Sequence, residues 1–562
     1  MKPSLLSKSP IVMNHDRFIT NKEKFIPMKP IIYLMFIVLI ASSISCKKFL
    51  DREPTDFKTP ENYFNTESEL NTALIGVYNR LADERTYRRG LFTYLAISDE
   101  FFYRNVSTNS IYVLDFDAAH IDIGRFWETC YQGIDRANAL LEHMNKPIMN
   151  ELKRNEIKGE ALFLRAYFYF LLVDNFGAVP LKLSSTKNPA EAPLPRSAVN
   201  VVYQQILEDM TAAYDLVPSI KKNPLDQTDT GLEYSERITK SAVGGILAKV
   251  CLSMAGAPLN DVAKYADALK WSELIINSGA HSLNPDYKQI FINAAKDIED
   301  PKECIWEIGF SGNNTGNLLQ GGTLGISNGI TSTELNDPGY STGSINTTAR
   351  LYNLYDATDV RRDWCIAPFK YTTTNNVTTT TPWTSTQIYD RNIGKWRRQY
   401  ETLVPKTKDY NAVNFPVLRY SDVLLMYAEA VNGMHGSPNL VAETYLNQVR
   451  RRGHNKPVGI PDATVDVTPG LSGTRFLEEL QNERAREFAF EGMRQHDLKR
   501  WGIYVSKMNT LAAEITASAP STWRYAGSAG KNTSSRNLLL PIPNSEVVLN
   551  PEIGVRDQNP GW

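Results

Sequence analysis

Apolar residues recur at helical spacing in two blocks of the chain. In the first, Glu156–Asn175 is apolar on most of its sides (Ala161, Leu162, Leu164, Tyr167, Phe168, Leu171), which predicts a helix buried all round. Gly177 then provides a stop and Pro180 prevents continuation. Similar patterns predict helices over Thr66–Leu81, Arg125–Met144, Val201–Leu216, Thr239–Ala255 and Asp261–Ser278. The second block predicts helices over Tyr420–Asn432, Leu440–Arg451 and Thr474–Trp501. Small residues within these helices, as at Ala161, Ala166, Ala428 and Ala430, suggest tetratricopeptide-like stacking of divergent units.

Between the blocks, from about Ala280 to Phe415, the helical period fades and Gly, Asn, Thr and Tyr dominate. β-branched runs on either side of Asn375-Asn376 predict a hairpin. The expected fold class is therefore mainly α. It is a single domain, with a helical scaffold over residues 60–279 and 416–562 and an irregular loop and short-strand insertion over residues 280–415. Binding residues often sit on such loops.

Residues 481–501, Q-N-E-R-A-R-E-F-A-F-E-G-M-R-Q-H-D-L-K-R-W, alternate carboxylates with arginines among large apolar residues. On one helix, Glu487, Glu491 and Arg494 would share a face, so the like charges need cations close by. Buried ion pairs of a scaffold helix are the plain reading. A catalytic carboxylate pair is the sharper alternative.

The N-terminal region changes the picture of where the chain works. Met28-Lys29-Pro30 precedes the apolar run Ile31 to Ala41, and small residues lead to Cys46. This is a signal-peptide pattern over residues 1–45, with translation expected to begin at Met28. The apolar run is shorter than the roughly 20 residues of a membrane-spanning helix. Cys46 at its end is the expected lipid attachment site, although Ser43 stands where a lipobox usually has Leu.

The net charge of −1 and the lack of a basic tract argue against nucleic acid as a partner. Seven scattered His and no C-x-x-C give no metal-ligand spacing, and no cofactor motif occurs. Cys130, Cys251, Cys304 and Cys365 could pair in three ways or not at all. Catalytic signals are thin. Gly325-Ile-Ser327-Asn-Gly329 fits G-x-S-x-G without the flanking strand and helix that a nucleophile elbow requires. Asp99-Glu100 is the best carboxylate pair in a loop-like setting. With 27 Tyr and 9 Trp, the chain is well supplied with rings that can pack on the C–H face of a sugar. Trp127 and Trp501 lie in scaffold patterns, and Trp364 and Trp396 sit in sequence that favours packing. Trp383, with no apolar periodicity around it, is the expected exposed platform.

The stretch E-R-A-R-E-F-A-F-E-G-M-R-Q-H-D-L-K-R-W-G closely resembles the signature helix of SusD/RagB-type outer-membrane nutrient-binding lipoproteins. The resemblance extends through W-E-T-C-Y-Q-G-I-D-R-A-N at Trp127–Asn138, Glu160–Pro180, Leu418–Asn432 and the C-terminal Gln558-Asn-Pro-Gly-Trp562. It implies a tetratricopeptide-based fold at the cell surface, lipid-anchored in the outer membrane. It further implies a glycan ligand, a TonB-dependent SusC-like porin as partner and no catalysis. Peptide or glycopeptide uptake, as in RagB-like members, is the alternative. Asp99, Phe102, Tyr103, Arg104 and Asn105 resemble the family's ligand-site loop after its first helix. Tyr340, Trp364 and Trp383 lie in the variable region that would complete the site.

Overall fold

Side-chain caps set where many of the helices begin. Thr66 accepts the Glu69 N–H and opens α1 (Glu67–Tyr78), and Asn150 accepts two N–H groups at the start of the long central helix. The computed structural model describes residues 62–105, 110–219, 235–375 and 377–562. The expected signal peptide and the expected lipid-attachment residue Cys46 lie outside the described residues.

After α1 come β1 (Phe101–Tyr103), α2 (Ile121–Glu142), α3 (Glu151–Phe176), β2 (Val179–Pro180), β3 (Arg196–Ser197), α4 (Val199–Leu216), α5 (Lys240–Ala255), α6 (Lys264–Asn277) and α7 (Tyr287–Ala295). The irregular part holds β4 (Cys304–Ile308), β5 (Ile345–Thr347), α8 (Ala349–Leu354), α9 (Val360–Cys365), β6 (Phe369–Thr374) and β7 (Val377–Pro382). The chain closes with β8 (Phe415–Arg419), α10 (Tyr420–His435), α11 (Leu440–Gly453), α12 (Gly473–Glu487), α13 (Arg494–Arg500), α14 (Tyr504–Ser518), α15 (Ser528–Asn532) and α16 (Asn544–Leu549).

Successive helices pack as pairs, α2 on α3, α3 on α4, α5 on α6 and α10 on α11, and α10 also packs on α6. This joins the two helical blocks across the long intervening sequence. α3 is buried on nearly all sides, as its apolar run requires. Gly133 on α2 touches α3 so closely that a Cβ there would lie 2.3 Å from the Phe168 ring. The strands make only two-stranded sheets: β1 with β5, β2 with β3, β4 with β8, and the β6–β7 hairpin. One hydrophobic core runs from Phe64 to Ile553 and includes residues of the loop region such as Trp364 and Trp396.

The structure corrects one expected element. Thr474–Trp501 is two helices, α12 and α13, separated by a turn in which Phe490 (φ 64°) and Gly492 (φ 78°) are left-handed. A Cβ at position 492 would lie 2.5 Å from the Leu91 carbonyl oxygen, so only glycine fits there. The break places Glu491 in the turn instead of on a helix face with Glu487. Both nevertheless meet the same cation, Arg419.

Candidate functional site

The strand pair β1–β5 carries one group of the expected ligand residues. Its register pairs Phe101 with Thr347, Phe102 with Asn346 and Tyr103 with Ile345. Beyond it, the Arg104 N–H donates to the Ser344 carbonyl at 2.9 Å, and the Tyr525 hydroxyl donates to the Arg104 carbonyl. These bonds fix the backbone while the Arg104 and Asn105 side chains stay exposed. The Arg104 guanidinium donates to Thr331 Oγ1 at 3.2 Å.

Phe102 is 5% exposed and braces a ring cluster from beneath, with Trp523 at 5.6 Å and Tyr525 at 6.3 Å, both edge-on. Tyr389 packs on the same ring, and Trp523 and Tyr525 are themselves half-buried. Tyr103 lies 4.2 Å from Tyr112, centre to centre. Asp99 is buried and ion-paired with Arg494 at 2.8 Å. The structure thus puts Asp99 and Phe102 beneath the surface, and Arg104 and Asn105 on it.

The loop region provides a second group, joined to the first by the segment from Trp383 to Arg391. Trp383 is half-buried at the end of the β6–β7 hairpin, with Lys370 Nζ 5.0 Å from its ring centre. Tyr340 is half-buried under Lys408 Nζ at 5.4 Å. Trp364 is only 4% exposed and stacks with Arg397 at 4.1 Å, so it belongs to the packing of the region. Asn375, at the hairpin, is left-handed with φ 52°.

The charge-rich segment holds no open carboxylate pair. Glu487 meets Arg419, Arg452 and Arg361 at 2.5–3.1 Å, with all four side chains fully buried. Glu303, Glu483, Glu491, Asp359 and Lys395 complete the network. Burial alone would raise the Glu487 carboxyl, but Arg452, Arg419 and Arg361 together hold it well below the usual carboxylate range. Asp99 and Glu100 differ in the same way. Burial raises both, but Arg494 outweighs it at Asp99, whereas burial dominates at Glu100 and pushes it up to about 8. Each is 3% exposed, out of reach of a substrate.

Other arrangements that suggest catalysis fail on geometry. His496 lies between Asp174 at 2.8 Å and Ser253 Oγ at 3.1 Å. Ser253, however, lies in the last turn of α5 and is 5% exposed, and its hydroxyl donates to the Lys249 carbonyl at 2.9 Å. The three residues tie α3, α5 and α13 together. Ser327 sits in a turn after left-handed Gly325 (φ 81°), without the strand and helix of a nucleophile elbow. All four cysteines of the described residues are buried free thiols, and burial pushes Cys251 up to about 12.

A large concavity of about 1180 Å³ lies elsewhere, along α2 and the segment Pro543–Asn550. Its walls mix Ala, Pro and Leu with charged and amide side chains such as Arg125, Glu128 and Arg136, but Trp127 in it is 5% exposed and the Trp127 indole N–H is already bonded to Glu546 at 3.2 Å, so it presents no open indole face. The ring-and-amide surface at Arg104 and Trp523 offers exposed polar groups beside half-open rings, so it is the better site for a polar ligand.

A family model described as SusD family matches residues 302–562, and one described as starch-binding associating with outer membrane matches residues 48–252. The chain belongs to the SusD/RagB family. Relatives of this SusD-like chain include SusD-like protein P2 of Formosa agariphila, 25% identical over 550 residues, covering 94% of this chain and 99% of the relative. A SusD-like protein of Bacteroides ovatus is 22% identical over 81% of this chain and 80% of its own. A solved SusD homolog from Bacteroides thetaiotaomicron matches with a TM-score of 0.80 at 29% identity, covering 90% of this chain and 98% of that one. A laminarin-binding SusD-like protein matches at 0.66 and 22% identity, over 89% and 100% of the two chains, and shares the helical tetratricopeptide-like fold. In this SusD-like chain, sequence reasoning missed Trp523, Tyr525 and Tyr389. A signal was present, since S-T-W-R-Y-A-G sets two rings among polar residues after Pro520 without helical periodicity.

Proposed function

We propose that this chain is a surface-exposed outer-membrane lipoprotein that binds an oligo- or polysaccharide and delivers it, uncleaved, to a TonB-dependent SusC-like transporter. The observation that carries the reading is the patch in which half-buried Trp523 and Tyr525, braced edge-on by Phe102, flank exposed Arg104 and Asn105. Rings held rigidly by a core ring lose little freedom on stacking against a pyranose, and a guanidinium and an amide beside them can bond its hydroxyls. The helical scaffold fixes these groups before ligand arrives. Similar solved proteins include a laminarin-binding SusD-like protein and surface glycan-binding protein A of Bacteroides fluxus, which supports the ligand class. The anchor would be the lipid on Cys46, and the transporter the source of passage across the membrane.

Calorimetric titration with a glycan panel, followed by chromatography of the recovered sugar, tests the reading. We expect binding without cleavage. Trp523→Ala should weaken it about tenfold, the order of one aromatic contact, with the melting temperature nearly unchanged because the ring is half-exposed. Unchanged affinity, or release of shorter sugars, would remove the site or the non-enzymatic role.

A further inference from the structure

Taken whole, the chain is electrically balanced, with 61 basic and 62 acidic residues. The segment Phe369–Lys408 is not: seven Lys and Arg stand against Asp390 and Glu401, an excess of five. Two of the seven are neutralised, Lys395 by Glu491 at 2.6 Å and Arg398 by Glu401 at 2.7 Å. The other five, Lys370, Arg391, Arg397, Lys406 and Lys408, form no ion pair with a described residue.

These five are held by ring faces and carbonyls. Lys370 lies over Trp383, Lys408 over Tyr340 and Arg397 over Trp364. Lys406 Nζ donates to the Pro338 and Arg398 carbonyls at 3.1 and 2.8 Å. Arg391 is 4% exposed, lies 4.8 Å over Tyr352, and donates to the Thr384 carbonyl at 3.1 Å while its Nε finds no partner. A buried guanidinium is costly without an anion nearby. Arg104 is also exposed, and among the described residues its guanidinium is bonded to the neutral Thr331 hydroxyl.

The cations change what the rings can do. A ring face already covered by an ammonium group is not open to the C–H face of a neutral sugar. The exposed lysines instead offer a second side to an anion, and exposed cations that lack an ion-pair partner attract polyanions from a distance. Resting on the glycan-binding reading above, we infer that the bound glycan is anionic, with its carboxylate or sulfate groups paired to Lys370 and Lys408 in the field of Arg391 and Arg104. The two lysines are exposed, so their replacement leaves the fold intact.

The test uses the full-length chain in nonionic detergent, titrated at low and high salt with polygalacturonate, kappa-carrageenan, laminarin and maltoheptaose. At least one anionic polymer should bind about tenfold or more tighter than either neutral glycan at low salt, weakening as salt screens the charges. Polygalacturonate binding identifies the carboxylate, and carrageenan binding the sulfate. In the double variant Lys370→Gln/Lys408→Gln, affinity for that polymer should fall about tenfold. Neutral glycans binding as tightly as the anionic ones, or anionic binding that the double variant leaves unchanged, would overturn the inference while the glycan-binding reading stands. Failure of every glycan to bind would overturn both.

Discussion

Replacing Arg419 by Met is expected to cost about 3–5 kcal/mol of folding stability. Arg419 is fully buried and donates to Glu303 at 2.9 Å, Glu487 at 2.7 Å and Glu491 at 2.8 Å. One of its NH groups also meets the Glu487 backbone carbonyl at 3.2 Å, at the end of α12. Methionine fills similar space but leaves three carboxylates short of a cation in the core, and removing one partner of a buried pair costs more than the pair itself is worth. Urea denaturation measures the loss, and a change below about 1 kcal/mol would mean that solvent reaches the network.

The same network sets an acid limit. Burial raises Glu483, but Arg361, Arg486 and Arg450 outweigh it and hold it at about 2, below its ordinary 4.5. A depressed carboxyl stabilises the fold above its unfolded value and loses that contribution as pH falls from 4.5 through 2. Glu100 and Glu307 act in the opposite sense, since burial raises each from 4.5 to about 8. They disfavour the fold as pH climbs from 4.5 through 8. Stability should therefore rise on acidification from pH 8 toward 4.5 and then be lost below it.

Changing Cys46 to Ala should move the protein from the membrane fraction to the soluble fraction. Each acyl chain on a lipoprotein cysteine contributes about 0.8 kcal/mol per buried CH₂, so several chains hold durably and none hold without the thiol. Cell fractionation in a strain lacking the transporter reads the outcome. A variant that still sediments with the outer membrane would show that something other than lipid holds it there.

Much of the scaffold was legible because its signals are local. The period in α3 and α10, and caps such as Thr66, Thr239 and Asn439, lie within a few residues of what they control. The break between α12 and α13 was not legible, because it depends on Leu91 crowding Gly492 from a distant part of the chain. The site divided along the same line. Arg104 and Asn105 were reachable from a loop motif. Burial of Asp99 depends on Arg494, and Trp523 meets Phe102 from more than 400 residues away in sequence. Such partners follow from tertiary packing, which no short window of sequence carries. Trp383 was expected as an exposed platform because no core periodicity surrounds it; the ring is half-buried, and the cation over it comes from the paired strand of a hairpin.

A crystal structure of the chain with its tightest-binding oligosaccharide tests the central claim most directly. The account predicts an intact sugar chain with a ring packed on Trp523 or Tyr525, at about 4 Å. Its oxygens should lie within about 3 Å of Arg104 or Asn105. A sugar seated in the concavity along α2, or one cleaved in the crystal, would contradict it.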